Sequence, residues 1–276
     1  MDSNRELWEK GDFTRIAAIL RGSGESLVAG LGIGPGTRML DLGCGDGTTA
    51  LPAARLGADV LGVDIAANLV AAARARAAAA GLDNVRFQQG DACELSDLAD
   101  GGFDLVLSVF GAMFAPRPRD VAKEMVRVAR PGGRVVMANW IPGDPTLVAE
   151  ILRIATAYSP PPPSGFVSPM AWGDEDEVVE RFGAAGVPAH RISFERASWN
   201  FEFDGPPEEM VGLYRDYYGP TMNAFAAAAA DGREGLLRAE LDALFANQNR
   251  ATDGTTSIAA TFLLVSVSCP DAEGEG

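Results

Sequence analysis

The 276-residue chain carries a single histidine, three cysteines and few aromatic residues, 8% of the total. One histidine, His190, cannot anchor a multi-histidine metal site, and no Cys-x-x-C pair is present, so no metal centre is expected. Cys44, Cys93 and Cys269 are odd in number and far apart, a pattern that fits reduced thiols in a cytoplasm better than a disulfide framework. No apolar run is long enough to cross a membrane, and no signal-peptide or lipidation pattern is visible. A soluble cytoplasmic protein is the expectation. Positive charge is scarce as well: 23 Lys and Arg stand against 38 Asp and Glu, for a formal net charge of −15. Such a surface repels phosphate backbones and anionic membranes. The arginines are scattered, and Arg117, Arg119, Lys123, Arg127 and Arg130 read as the outer face of one helix. Neither nucleic acid nor a membrane is an expected partner.

What the chain does have is a run of short apolar strands, most of them ending in glycine or an acid. The central one is Met39-Leu40-Asp41-Leu42-Gly43-Cys44-Gly45-Asp46-Gly47-Thr48, followed by an alanine-rich helical run from Thr49 to Leu56. That order reads as buried strand, tight turn, helix N-terminus. Glycine tolerates positive φ and lets a ligand approach the bare backbone. The spacing is G-x-G-x-G, not the G-x-G-x-x-G of a dinucleotide site. The acid at the strand end, Asp41, suits a ligand that brings positive charge. A structural turn without a ligand is the bland alternative, and Asp46 within it could equally be an exposed loop residue.

Four more strands follow: Asp59 to Asp64, Asn84 to Ala92 with its stop at Gly90-Asp91-Ala92, Phe103 to Phe110 and Arg134 to Trp140, with helices between them. Strands alternating with helices imply a parallel, doubly wound sheet whose ligands bind beyond the strands' carboxyl ends. That rim collects Asp41, Gly43, Asp64, Asp91 and Ser108. Asp64 lies where a ribose-binding acid sits in such βαβ units; its alternative role is the N-cap of the next helix.

D-L-G-C-G-D-G-T closely resembles motif I of the class I S-adenosylmethionine (SAM)-dependent methyltransferases. The turn Ala129-Arg130-Pro131-Gly132-Gly133 matches a further habit of that family. The resemblance covers roughly the first half of the chain. It implies a Rossmann-like α/β fold with a seven-stranded sheet, mostly parallel with an antiparallel last strand, and a helical lid or cap. It implies SAM as cofactor, held by Asp41, Gly43, Cys44, Gly45, Asp64, Ile65, Asp91, Ala92 and Ser108. Asp91 would face the adenine amine, and Ala92 would offer its backbone N–H to the ring. The Asp/Asn-Pro-Pro-aromatic signature of amine-modifying subclasses is replaced here by Ser108-Val109-Phe110-Gly111, which argues against them.

The expected organisation is an N-terminal helical lid over residues 1–34 and a cofactor domain over 35–204 and 252–269. A helical cap insert spans 205–251, and a disordered tail covers 270–276. In the first segment two short helices are expected, broken at Gly11 and at Gly22-Ser23-Gly24; Trp8 and Phe13 either close the cofactor mouth or pack on the sheet edge. Phe110, Met113, Phe114, Trp172, Tyr214 and Tyr217 are substrate-pocket candidates that ordinary core packing would explain equally well. His190, Tyr214 and Tyr218 are weak candidates for a catalytic base, against a surface turn for the histidine and helix packing for the tyrosines.

Methyl transfer from a sulfonium asks the protein mainly to align the acceptor and exclude water. The expected function is therefore methyl transfer from SAM to a small-molecule acceptor at O, N or C. Two alternatives stay open: a SAM-binding protein without methyl transfer, and a nucleotide-dependent oxidoreductase, which the glycine spacing and Asp41 disfavour.

Overall fold

Short apolar runs bounded by turn residues form strands, because a strand buries both faces of the chain over few residues. In the computed structural model, which describes residues 2–271, these runs become β1 (Arg38–Leu42), β2 (Asp59–Asp64), β3 (Val85–Gln89), β4 (Phe103–Val109) and β5 (Ala129–Trp140). All pair in parallel. Two long strands, β6 (Ile192–Phe203) and β7 (Thr256–Ser268), extend the sheet to the order β3-β2-β1-β4-β5-β7-β6. Only β7 runs against the rest, pairing antiparallel with β5 and β6. The sheet is the expected one.

The two faces have separate cores. Met39, Val60, Leu105, Leu107 and Val136 pack with α3 (Arg21–Gly30), α4 (Ala50–Arg55) and α5 (Ala67–Ala79). Their strand neighbours Leu40, Val106, Val135 and Met137 point the other way, toward α6 (Pro118–Val128), α7 (Leu147–Tyr158) and α8 (Glu175–Ala184). This is the period-two alternation of a strand, with an apolar residue on each face. On α6, the buried set Val121, Ala122, Met125 and Val128 follows helical spacing, so one stripe faces the sheet. Asp174 caps α8, its carboxylate accepting from the N–H groups of Asp176 and Glu177.

The N-terminal segment departs from expectation. It holds three helices, α1 (Asp2–Glu9), α2 (Thr14–Ala18) and α3, and Gly22 to Gly24 lie inside α3. Gly24 is there for closeness: a β-carbon on it would come within 2.8 Å of the Thr48 methyl. Tertiary contact with the glycine turn thus outweighs glycine's poor helix propensity. In β5, residues 130–133 loop out, since Phe103 pairs with Ala129 and Leu105 already with Arg134. The expected turn is a bulge within the strand, with Gly132 at φ +66°.

Between β6 and β7 come α9 (Pro207–Tyr217), α10 (Gly219–Ala230) and α11 (Glu234–Gln248). Helices α10 and α11 pack on α7 and α9 packs on both of them, and the group reaches the N-terminal helices, α9 against α2 and α10 against α1. Lys10 Nζ donates to Asn223 Oδ1 at 2.6 Å across that seam. Pro270 and Asp271 of the expected disordered tail are tied down: Gly132 N donates to the Pro270 carbonyl, and Asp271 pairs with Arg191. Residues 272–276 lie outside the described residues.

Candidate active site

In this strand order the chain leaves β1 in one direction and enters β4 on the other side, so a crevice opens where β1 and β4 diverge. Gly43 and Gly111 meet there, backbone to backbone. A β-carbon on Gly43 would lie 2.7 Å from Gly111 Cα, and one on Gly111 would lie 2.4 Å from the Gly43 carbonyl oxygen. Gly43, Gly45 and Gly47 all have positive φ, which only glycine adopts without strain. Beyond them lies a cleft of about 940 Å³, counting its open mouth.

One end of the cleft is walled by the ends of β1, β2 and β3: Leu42 to Asp46, Val63 to Ile65, and Gly90 to Ala92. Asp64 is held by two backbone donors, Gly45 N at 2.8 Å and Ala66 N at 2.9 Å. It therefore fastens the glycine turn to β2 and starts the next helix as well. Burial pushes its carboxyl above the ordinary range, against those two hydrogen bonds. Asp91 accepts from Cys93 N through Oδ1, while its Oδ2 is buried and finds no partner.

Asp41 lies one step behind this wall, 1% exposed. Thr49 donates its hydroxyl to Asp41 Oδ2 at 2.7 Å, and Oδ1 has no partner. Burial, reinforced by the nearby Asp64 charge and opposed by the Thr49 hydroxyl, raises the Asp41 carboxyl to about 7. Ser108 is also behind the wall; its hydroxyl accepts from Ala112 N at 3.0 Å and shapes the turn after β4. Asp46 is no exposed loop residue. It is 1% exposed and ion-paired to Arg21 at 3.0 Å and Arg76 at 2.9 Å, binding the turn to α3 and α5.

The other end of the cleft is aromatic. Trp8, Phe13, Ala17 and Leu20 from α1, α2 and their connections face Phe110, Ala115 and Trp199. Phe110 holds a φ of +54°, the one non-glycine residue with positive φ among the described residues. That strained backbone lays its ring flat on Trp140, centroids 3.7 Å apart, and edge-on to Trp199 at 5.0 Å.

Of the pocket candidates, Phe110 alone lines the cleft. Met113 is buried in the turn Ala112–Phe114. Phe114 packs behind Trp8 at 4.9 Å. Trp172 is covered by the Arg181 guanidinium at 4.7 Å and by Phe182. Tyr214 is buried against Phe245 and Tyr218, Tyr217 is only partly buried and lines nothing in the cleft, and Tyr218 supports Trp8 and Phe13 from outside. Burial drives the Tyr214 and Tyr218 hydroxyls above their ordinary range, the wrong direction for a base. His190 sits exposed in the turn Ala189–Arg191. The sequence reading missed Trp199, which strand alternation alone marks only as one inward residue of β6.

The residues present fit the implied cofactor. Among the described residues the wall's carboxylates are Asp46, Asp64 and Asp91, its one thiol, Cys44, is pushed up by burial and stays neutral, and it has no Lys, Arg or His. That favours a ligand bearing a sulfonium and an ammonium over one bearing a pyrophosphate. The orphaned Asp91 oxygen calls for a donor, and the positions of Gly43 and Gly45 leave room for a ligand against the main chain. Among the described residues no three His, Cys, Asp or Glu side chains are placed to hold a metal ion, and no helix is long and apolar enough to cross a membrane.

The profile of the methyltransferase domain family matches residues 40–137, the stretch from β1 into β5. An uncharacterized protein of Mycobacterium tuberculosis is 36% identical over 228 residues, 82% of this chain and 81% of its own length. A demethylmenaquinone methyltransferase of Renibacterium salmoninarum is 30% identical over 172 residues, 58% of this chain and 70% of that one. Among solved structures, the YcgJ protein of Bacillus subtilis superposes with a TM-score of 0.59 at 20% identity, covering 92% of this chain and 99% of that one; this likeness speaks to fold. The matched profile, the demethylmenaquinone methyltransferase relative and the sheet order together place the chain in the class I SAM-dependent methyltransferases, with S-adenosyl-L-methionine as its cofactor.

Proposed function

We propose that this methyltransferase acts on a small, planar, largely apolar acceptor held at the aromatic end of its cleft. The observation that carries the reading is the wall itself: Trp8, Phe13, Leu20, Phe110 and Trp199 close that end, and no titratable side chain is among them. An apolar wall binds a ring and excludes water, and alignment then supplies most of what the reaction needs. The bound cofactor supplies an activated methyl group on a sulfonium.

The chain's own residues divide the remaining work. Asp64, already oriented by Gly45 and Ala66, accepts the ribose hydroxyls. The free oxygen of Asp91 accepts the adenine amine, and the neighbouring Ala92 N–H serves the ring. Asp41 places negative charge beneath the turn for the ammonium. Helices α1 to α3 act as a lid, fastened by Arg21 to Asp46 and by Ser23 to Asn200. No side chain on the acceptor wall takes a proton, so the acceptor must already be nucleophilic at working pH or lose its proton to solvent.

Macromolecular acceptors fit poorly. The four arginines of the stretch from Arg117 to Arg130 are each ion-paired, to Asp120, Glu180, Glu124 with Asp100, and Asp104 in turn. The name carried by the Renibacterium relative makes quinol-type rings the first acceptors to try. The test is release of S-adenosylhomocysteine from SAM across a panel of hydroxylated aromatics, oligonucleotides and peptides. Turnover with a ring compound is expected. Turnover confined to oligonucleotides or peptides would overturn the reading.

A further inference from the structure

A buried N–H donor without an acceptor has lost its water and gained nothing, so each one asks what it was left for. Two indole N–H groups are in that state among the described residues, those of Trp172 and Trp199. Trp172 lies beneath the Arg181 guanidinium and does not reach the cleft. Trp199 does: it is 2% exposed and is one of the residues that line the cleft.

Two residues of the wall each keep a buried side-chain polar atom without a partner, and the two atoms complement each other. Asp91 Oδ2, an acceptor, follows β3; Trp199 Nε1, a donor, lies on β6. β3 and β6 are the opposite edges of the sheet, so the two orphans sit toward opposite ends of the cleft. The adenosyl group of the cofactor accounts for the first. The second belongs with the acceptor.

Trp199 is also held in place. Its ring meets Phe110 edge-on at 5.0 Å and Phe262 at 6.1 Å. The next residue, Asn200, is clamped by the Ser23 hydroxyl, which accepts from Asn200 N at 3.0 Å and donates to its carbonyl at 2.9 Å. A donor fixed this way loses little freedom on binding, the condition for a selective hydrogen bond.

Resting on the small-acceptor reading above, we infer that Trp199 is the specificity residue for an oxygenated planar ring. Its indole N–H donates to a phenol, phenolate, enolate or ring-carbonyl oxygen of the acceptor. A site built to bond a polar group discriminates strongly against the analogue that lacks it, because the buried donor is then left unpaired. A bond to an anionic oxygen is the stronger one, which suits a wall that has no base and needs an acceptor already nucleophilic.

The test uses the full chain saturated with S-adenosylhomocysteine, titrated calorimetrically with 2-naphthol and with naphthalene. The wild type is expected to prefer 2-naphthol by about ten-fold or more, and Trp199→Phe to bring the two within about two-fold, with S-adenosylhomocysteine affinity unchanged. In protein carrying ¹⁵N-indole tryptophan, 2-naphthol should move one indole N–H resonance that naphthalene leaves in place, and this measurement needs no variant. A preference that survives in Trp199→Phe, or four indole resonances indifferent to 2-naphthol, would overturn the role of Trp199 while leaving the small-acceptor reading intact. Binding of S-adenosylhomocysteine with neither naphthalene nor 2-naphthol would overturn both.

Discussion

The two ends of the cleft are built in opposite ways. The β1–β3 end is made of three short contiguous segments, Leu42 to Asp46, Val63 to Ile65 and Gly90 to Ala92, and its working parts are main chain and carboxylates. The aromatic end draws one or two side chains each from α1, the following loop, α2, the end of β4 and β6. Where backbone geometry makes the site, the site and the fold are the same object, and damage to one damages the other. Where side chains on separate elements make it, they can be exchanged with the fold intact. Substitutions at the first end should therefore cost stability or cofactor affinity, and those at the second should cost selectivity.

The largest expected effect concerns Asp41. Its carboxyl stands near 7 in the folded protein and near 3.8 when exposed. Between those values the folded state holds a proton that the unfolded state has released, so stability falls as pH rises from about 4 to about 7. It is fully present below that window and lost above it. Three units correspond to about 4 kcal/mol. Asp41→Asn removes the ionisation, so the cofactor-free variant should gain stability over wild type as pH rises and exceed it at pH 8. Thermal denaturation of both proteins across pH 4–8 measures the difference. A constant gap between them would mean that ionised Asp41 finds compensation elsewhere.

Gly43→Ala comes next. The new methyl would press on the Gly111 main chain at 2.7 Å, at a φ of +73°. Neither strand end can yield without moving the sheet, and a loss of about 3 kcal/mol in stability is expected, read by urea denaturation. Asp64→Ala follows. It removes the proposed ribose acceptor and the tie to Gly45 N, and SAM affinity should fall at least about ten-fold, 1.4 kcal/mol. Calorimetric titration settles it: an unchanged affinity in folded protein takes Asp64 out of the site.

The same contrast explains what could be read without the structure. Strands β1 to β4 are short apolar runs closed by a glycine or an acid, β5 repeats the apolar run from Arg134 to Trp140, and both their parallel order and the glycine turn were legible in them. Their information is local. Gly22 and Gly24 looked like helix breakers, yet α3 runs through them, because the closeness of Gly24 to Thr48 is a contact between segments that composition does not reveal. Whether Asp46 was exposed stayed open for the same reason: its partners Arg21 and Arg76 lie 25 and 30 residues away along the chain. Tyr214 and Tyr218 have the spacing of either a pocket or a packed helix face, and the neighbours that make them packing, Phe245, Trp8 and Phe13, come from elsewhere in the chain. Trp199 was unreadable because its role depends on what lies opposite β6.

The smallest expected effect is at His190, and it tests the base-free acceptor end from outside. A lone histidine in an enzyme invites assignment as a proton acceptor, since its ordinary pKa lies close to neutrality. A base must come within hydrogen-bond reach of the proton it takes. His190 is exposed in the turn that precedes β6, at the end of the strand that pairs with Val267, whereas Trp199 of the cleft pairs with Ala260, seven register positions along. At a strand rise of about 3.3 Å per residue that offset alone exceeds 20 Å. His190→Gln should therefore leave kcat within about two-fold and the pH dependence of kcat/KM in place, where losing a true general base costs about 100-fold or more. A drop of that size would mean that the chain reaches the acceptor in a form other than the one described, and the aromatic end would need its base after all.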